Sequence, residues 1–255
     1  MPKMPIKCGG APVKIVFLSE DDFTSRGIRN KCEVEYWPVW GNMFPPCPKY
    51  EPEVRKYADK RGIKYNFFKQ LIAVDSKNRI ATFQHPETKV QTQTHFDLLH
   101  IVPHQEPHAF IKNSPLADAA GWVDVHKETL QHNKFKNVFA IGDCSSLPTS
   151  KTAAAVISQA PVLVNNLLAH KESKELNALY DGYTSCPMFV GNNELLLIEF
   201  KYGGVGAETF SKDGQLIARN AFFHMKKDFL PYVYWNYLSK GKWFGNKSFF
   251  APKFK

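Results

Sequence analysis

Five cysteines, at positions 8, 32, 47, 144 and 186, are the side chains of this sequence best suited to covalent or redox chemistry. Their number is odd, no two form a CxxC pair, and none has the spacing of zinc ligands. Five are also too few to staple a chain of 255 residues as a secreted disulfide scaffold. Only the thiolate is a competent nucleophile, so the surroundings of each thiol decide its use. Cys8 follows Lys7 and precedes Gly9-Gly10, which leaves a close approach to a flat ring unobstructed. Cys186 is expected in a mobile, exposed loop between Gly182 and Pro187. Spacing does not pair the two, and a lone cysteine with no further context is a small buried hydrophobe. Cys47, among prolines, reads as a surface thiol, and Cys144, after a Gly-Asp turn, as structural. His100, His104 and His108 recur at i, i+4, but Pro103 and Pro107 break any helix there. That segment reads as a polar surface loop, and no metal site is expected.

A second constellation suits an anion. Val138 to Ile141 reads as an apolar strand ending at Gly142-Asp143, followed by a Pro-containing loop and a helix-forming run from Lys151 to Ala160. Pro161 is expected to interrupt that helix before Val162 to Ala169 continues it. Strand, Gly-Asp, loop and helix start would aim backbone N–H groups at a phosphate, while Asp143 accepts from a sugar or ribityl hydroxyl. A structural turn uses the same Gly-Asp pair, and Lys151 by itself reads as a solvated lysine at a helix end.

The elements that must position these residues alternate. Val13–Leu18, entered from Gly9-Gly10-Ala11-Pro12, reads as a buried strand, and Glu33–Trp37 as a second. Glu51–Arg61 suits an amphipathic helix closed by Gly62. Lys64–Phe68, Leu71–Val74, Arg79–Phe83 and Phe96–Val102 read as further strands, with a polar turn at Asp75–Asn78. The pattern predicts an α/β nucleotide-binding type of domain.

Composition sets the class. The chain carries 33 Lys+Arg against 24 Asp+Glu, a formal charge of +9, with 44% hydrophobic and 22% charged residues, so it is globular rather than disordered. No apolar run approaches the roughly 18 residues of a membrane-spanning helix, and Met1-Pro-Lys-Met-Pro leads into no secretory apolar region. From Phe222 to Lys255 lie twelve of the thirty-five aromatic residues, with seven lysines and one aspartate. Rings interleaved with lysines on short helices suit a bilayer surface. Packing against the main domain and base stacking compete with that reading, and no nucleic-acid motif supports the last, so no nucleic acid is expected.

Five motifs in order resemble the mitochondrial type of sulfide:quinone oxidoreductase. They are Lys7-Cys-Gly-Gly-Ala-Pro12, Ala117-Asp-Ala-Ala-Gly-Trp-Val-Asp-Val125, Ile141-Gly-Asp-Cys144, Pro148-Thr-Ser-Lys-Thr-Ala-Ala-Ala155 and Asp181-Gly-Tyr-Thr-Ser-Cys-Pro187. The resemblance implies a two-dinucleotide-binding-domain, Rossmann-like flavoprotein that carries FAD. It implies that Cys8 and Cys186 are its redox pair. Sulfide attacks their bridge and leaves a persulfide on Cys186; the freed Cys8 thiolate passes electrons to the flavin, and ubiquinone takes them from there. Glutathione, sulfite or cyanide then removes the sulfane sulfur. Asp143, Lys151, Thr152 and Ala153 match positions beside the flavin, and Phe229, Tyr232 and Trp235 are candidates for the quinone and membrane surface. The implied location is the mitochondrial inner membrane, as a peripheral, monotopic protein.

The family's Gly-rich FAD fingerprint, GxGxxG between strand and helix, has no match here, and Gly203-Gly-Val-Gly206 lies in the wrong third. The sequence is therefore expected to be the C-terminal portion of a longer enzyme, and activity of the chain alone does not follow from the resemblance. Its expected division is 1–105, part of a second Rossmann-like domain; 106–185, part of the FAD-binding domain; and 186–255, a quinone and membrane-surface region. Two other readings are carried: a type II NADH:quinone dehydrogenase-like flavoprotein, and a non-catalytic membrane-surface module.

Overall fold

The computed structural model describes residues 7–211, 214–247 and 249–254. Gly10 caps the first helix, α1 (Ala11–Ser25), and Pro12 sits in its first turn, where the missing N–H is no loss. The run Val13–Leu18, expected as a strand, is therefore helical. Its buried residues, Pro12, Val13, Phe17 and Glu20, fall on one helical face. The Gly-Pro pair that resembled a turn into a strand is a helix start.

β1 (Glu35–Tyr36), α2 (Glu51–Lys60) and β2 (Lys64–Tyr65) form a β-α-β unit, with Glu35 beside Lys64 and Tyr36 beside Tyr65 in parallel register. Gly62, at φ +61°, turns the chain out of α2. β3 (Gln70–Asp75), β4 (Ile80–Gln84) and β5 (Gln91–His95) follow as an antiparallel meander. Asp75 accepts the N–H groups of Lys77 and Asn78 in the turn. The expected strand Phe96–Val102 does not form. Polar Gln91–His95 takes the edge of β4 instead, residue for residue from Gln84–Gln91 to Ile80–His95, and the residues after it have no ladder. Backbone pairing, which the side-chain pattern does not reveal, decided between the two segments. Four residues of helix, α3 (Ala109–Lys112), end this irregular stretch.

Val138–Ile141 is likewise no strand; Phe139 makes a single bridge to Gln131. The long helix α4 (Ala153–Lys171) runs through Pro161 without a break. Its tertiary contacts hold it there: Val162 and Asn166 are buried, and the Asn166 amide donates to the carbonyls of Thr129 and Ala178 while accepting from the Ala178 N–H. β6 (Thr184–Gly191) and β7 (Glu194–Phe200) form a hairpin across Asn192-Asn193, both at positive φ, the conformation such tight turns require. A helical stretch then closes the chain: α5 (Asn220–His224), a π turn (Met225–Phe229) and α6 (Leu230–Asn236).

The largest core brings distant sequence together. Val13 and Phe17 of α1, Phe44, Tyr50 and Val54 pack on Cys186, Met188, Leu196 and Ile198 of the hairpin. A second core under α4 gathers Val123, Val125, Leu130, Leu147, Val162 and Tyr180.

Candidate functional site: a dithiol beside a Gly-Asp turn

Cys8 forms the turn that leads into α1. It stands at φ +56°, a conformation uncommon outside glycine, asparagine and aspartate. The turn is held from both sides: the Cys8 N–H donates to the Lys151 carbonyl at 2.9 Å, and the Cys8 carbonyl accepts from Ala11 N–H at 2.8 Å. Two residues on, Gly10 lets the helix start press against β6. A Cβ added there would lie 3.1 Å from Met188 Cε, 3.2 Å from Phe44 Cε2 and 3.6 Å from Cys186 Cβ. Strained backbone of this kind persists where the surroundings over-determine it.

Cys186 sits in β6 opposite Ile198, wholly buried. The expectation of an exposed, mobile loop is thus overturned: Thr184–Gly191 pairs along β7, and the Pro187 that suggested a loop is accommodated in a two-stranded ladder. The two sulfurs titrate together. The Cys186 thiol hydrogen-bonds the Cys8 thiolate, and this contact, opposed by partial burial and helped by the Lys14 ammonium and the Gly10 N–H, brings Cys8 down to about 5. Lys14 Nζ lies 3.6 Å from Cys8 Sγ. The same contact, with burial, pushes Cys186 well above the usual thiol value. Within the pair the negative charge is favoured on Cys8 and the proton on Cys186. A thiolate at a helix start beside a lysine is the arrangement that activates cysteines.

The other cysteines take different roles. Cys47, expected at the surface, is fully buried; its Sγ–H donates to the Gly204 carbonyl, and burial raises it to about 11. The prolines around it bend the chain inward onto the core. Cys144 donates to the Ile141 carbonyl within the Gly-Asp turn. Cys32 is half-buried beside α1.

The Gly-Asp turn lies next to the dithiol. Gly142, at φ +68°, donates its N–H to the buried Gln159 side chain of α4. Asp143 is half-exposed, 3.4 Å from Lys7 Nζ. Lys7 and Lys151 form a parallel bridge, so the Cys8 turn and the start of α4 run side by side. Lys151, which the sequence suggested as a solvated lysine, is turned inward. Its Nζ donates to the Ser145 and Leu147 carbonyls, and burial, partly offset by Asp143, lowers it to about 8. Thr152 caps α4 through Ala155 N–H and shares a hydrogen bond of 2.7 Å with Thr184, two residues before Cys186. Ala153 is exposed at the first turn. With a glycine at one side and alanines at the other, the backbone here is open to a flat or phosphate-bearing group. The fold thus gathers Cys8, Cys186, Asp143, Lys151, Thr152 and Ala153.

Lys14 escaped the sequence reading because its signal, a cation one helical step from the thiol turn, exists only when Val13–Leu18 is a helix. Thr184, which ties β6 to α4, carried no signal in sequence. The three aromatic candidates point outward: Phe229 is 47%, Tyr232 57% and Trp235 69% exposed, whereas Val233 is the residue α6 buries. Tyr232 meets the Tyr237 ring and Trp235 the Tyr234 ring within the same segment. Among the described residues, His100, His104 and His108 belong to no cluster able to hold a metal, and no helix is long and apolar enough to cross a membrane.

No family model matches the chain. Among solved structures, NDH2 from Plasmodium falciparum in complex with NADH superposes at a TM-score of 0.52 over 90% of this chain and 65% of that one, with 12% identity. A chain in the mitochondrial ATP synthase of Tetrahymena thermophila reaches 0.70 over 99% of this chain and 60% of that one, with 26% identity. The fold is mixed α/β and is shared with NDH2. In sequence the chain is similar to the mitochondrial sulfide:quinone oxidoreductases. It is 44% identical over 255 residues to that of Dictyostelium discoideum, covering 99% of this chain and 55% of the relative. It is 40% identical to those of Schizosaccharomyces pombe and Mus musculus, covering 56% and 54% of them. The chain spans about half the length of the curated relatives it matches.

Proposed function

We propose that this chain carries the dithiol centre of a flavin-dependent sulfide:quinone oxidoreductase, working at the surface of the mitochondrial inner membrane. The observation that carries the reading is the placement of Cys8, in a positive-φ turn 3.6 Å from Lys14 Nζ, against the buried Cys186 of β6. In the oxidised pair, hydrosulfide attacks Cys186 Sγ. A new S–S bond forms there as the Cys8–Cys186 bond breaks, and Cys8 leaves as thiolate with the electron pair. Leaving-group quality follows thiol acidity, and the Lys14 ammonium and the Gly10 N–H favour the thiolate on Cys8, which directs the incoming sulfur to Cys186. Lys14 holds the released charge.

The residues present fit a flavin. Asp143 would accept from its ribityl or sugar hydroxyls, and Thr152 and Ala153 would offer the open start of α4 to its ring or phosphates. Lys151 would act by holding the 145–151 loop through its two carbonyls. When bound, FAD supplies two-electron redox chemistry between the thiols and ubiquinone. Glutathione, sulfite or cyanide is the proposed acceptor of the sulfane sulfur. The exposed Phe229, Tyr232 and Trp235 fit a lipid and quinone surface. The divisions 1–105, 106–185 and 186–255 are the proposed inheritance from the longer architecture.

The test is the visible spectrum of the purified chain with added FAD, before and after sulfide. A flavin band that bleaches with sulfide, and no longer does so in Cys8→Ser or Cys186→Ser, supports the reading. Bleaching that survives either substitution overturns it, and a chain that stays colourless is to be retested with the N-terminal half of a relative supplied; vesicle binding without any flavin in that mixture supports the non-catalytic membrane-surface module. NADH is expected to leave the flavin band unchanged.

A further inference from the structure

α1, which follows Cys8, and β6, which carries Cys186, run in the same direction. Their starts meet at Gly10 and Cys186, and their far ends at Asp21 and Asn192. Between these points Val13 and Phe17 of α1 share one core with Met188 and Val190 of β6. Apolar packing is non-directional and does not by itself fix how far one element slides along the other. β6 also has a register irregularity between Phe189 and Gly191, where a strand can bend. The far ends are joined by one guanidinium. Arg61, just past the end of α2, has its side chain only 8% exposed. Its Nε donates to Glu20 Oε2, and its Nη2 to Asp21 Oδ1 at 2.7 Å. Asp21 Oδ1 also accepts the Asn192 N–H at 2.9 Å. Gly191, at φ +93°, lets the guanidinium lie against the strand end, since a Cβ there would fall 2.1 Å from Arg61 Cζ. Arg29 completes the cluster by donating to Glu20 Oε1 at 3.0 Å and to the Arg61 and Gly62 carbonyls. Two carboxylates thus face two guanidiniums. Desolvation offsets much of the attraction in such a buried cluster, so its net gain in stability is small. What its directional bonds supply is a fixed geometry.

We propose that Arg61 is a positioning residue for the dithiol: by pinning Glu20 and Asp21 of α1 to the Gly191-Asn192 end of β6, it fixes the slide of α1 along β6 and so the approach of Cys8 to Cys186. The proposal rests on the dithiol reading above. α1 is one unbroken helix from Ala11 to Ser25, and a rigid element carries a shift at one end to the other. A disulfide needs its two Cβ atoms about 3.5–4.5 Å apart, so a pair whose supporting elements are free to slide closes its bridge less readily. Arginine is required at this position because its planar fork spans Glu20 and Asp21 at once, whereas a lysine ammonium is a point charge that reaches one of them.

The experiment equilibrates the full 255-residue chain with glutathione and glutathione disulfide, then quantifies the Cys8–Cys186-linked peptide by mass spectrometry after acid quenching and alkylation. In that exchange the Cys8 thiolate and the Cys186 thiol form the protein disulfide. Their two electrons convert glutathione disulfide to one glutathione thiol and one glutathione thiolate. Circular dichroism verifies folding and gives the thermal midpoint of each variant. The equilibrium constant for forming the protein disulfide is expected to fall about tenfold in Arg61→Lys and in Asp21→Ala. It is expected to return in Asp21→Asn, which keeps the oxygen that accepts from Arg61 and Asn192. Val162→Ala, in the second core, should lower the thermal midpoint and leave the constant unchanged. If Arg61→Lys does not fold, the two Asp21 variants carry the test at a more exposed side chain. An unchanged constant in the folded variants, or an equal fall in Val162→Ala, overturns the positioning role while leaving the dithiol reading standing. An unmodified chain that forms no Cys8–Cys186 disulfide at any glutathione ratio overturns the dithiol reading, and the positioning role with it.

Discussion

Two sulfurs of the same residue type end up with opposite properties because one faces a helix start and a lysine and the other a hydrophobic hairpin. The consequence is measurable. Alkylation of Cys8 by iodoacetamide is expected to rise with pH around a midpoint of about 5, far below an ordinary thiol. Since the Cys186 hydrogen bond is the largest cause, Cys186→Ala should move that midpoint up, and Lys14→Gln should do so by less. A midpoint in the ordinary thiol range for the unmodified chain would refute the account. The sign for stability follows from linkage. A group whose folded value is depressed stabilises the fold fully above its unfolded value and loses that contribution as pH falls through its folded value. Chemical denaturation of the chain and of Cys8→Ser should therefore diverge as pH rises from about 5 to about 8.5.

At the scale of elements, the site depends on how closely α1 meets β6 and on how β7 anchors the chain beyond it. Gly10→Ala places a methyl against Met188 and Phe44, and since Gly10 has an ordinary helical φ the cost is steric alone. A loss of about 1–3 kcal/mol is expected by thermal denaturation, together with a shift in Cys8 reactivity. Glu199 of β7 is a buried carboxylate with a full set of donors: the Tyr183 hydroxyl, the Thr209 hydroxyl and N–H, and the Gln215 amide. Glu199→Ala leaves these donors unpaired, and a loss of about 3 kcal/mol or more is expected. Thr152→Ala removes both the α4 cap and the tie to Thr184, at about 1 kcal/mol for the cap.

Over the whole molecule, α1 and the β6–β7 hairpin share one core and the residues around α4 form a second, while one segment between them lies outside both. Val13 and Phe17 pack with Cys186 and Ile198, whereas residues 97–108 have no ladder and leave Leu98 79% exposed. Limited chymotryptic digestion is expected to cut first near Leu98 or Phe110, since neither residue belongs to the core that holds the dithiol. Early cleavage near Phe17 or Phe189 would contradict that distribution of stability.

Much of this was legible in residues alone, and the reasons are chemical. The composition and mixed strand–helix pattern identified the α/β class. Glycine and proline placement located α2 and the start of α4, because those residues restrict the backbone wherever they occur, and the polar run Asp75–Asn78 located the turn between β3 and β4. The motifs around Cys8, Asp143 and Cys186 pointed to the residues that the fold brings together. What sequence did not decide was every feature set by a distant partner. Val13–Leu18 became a helix because Gly10 and Pro12 start one and a hairpin 170 residues later covers its face. Gln91–His95 became the strand in place of Phe96–Val102 because β4 offered it a ladder. Cys186 and Cys47 were buried, and Lys151 and Lys14 were aimed, by packing that no local pattern encodes. Side-chain chemistry is carried by residue identity, but protonation depends on burial and on charges a few ångströms away, and only the tertiary structure sets those distances.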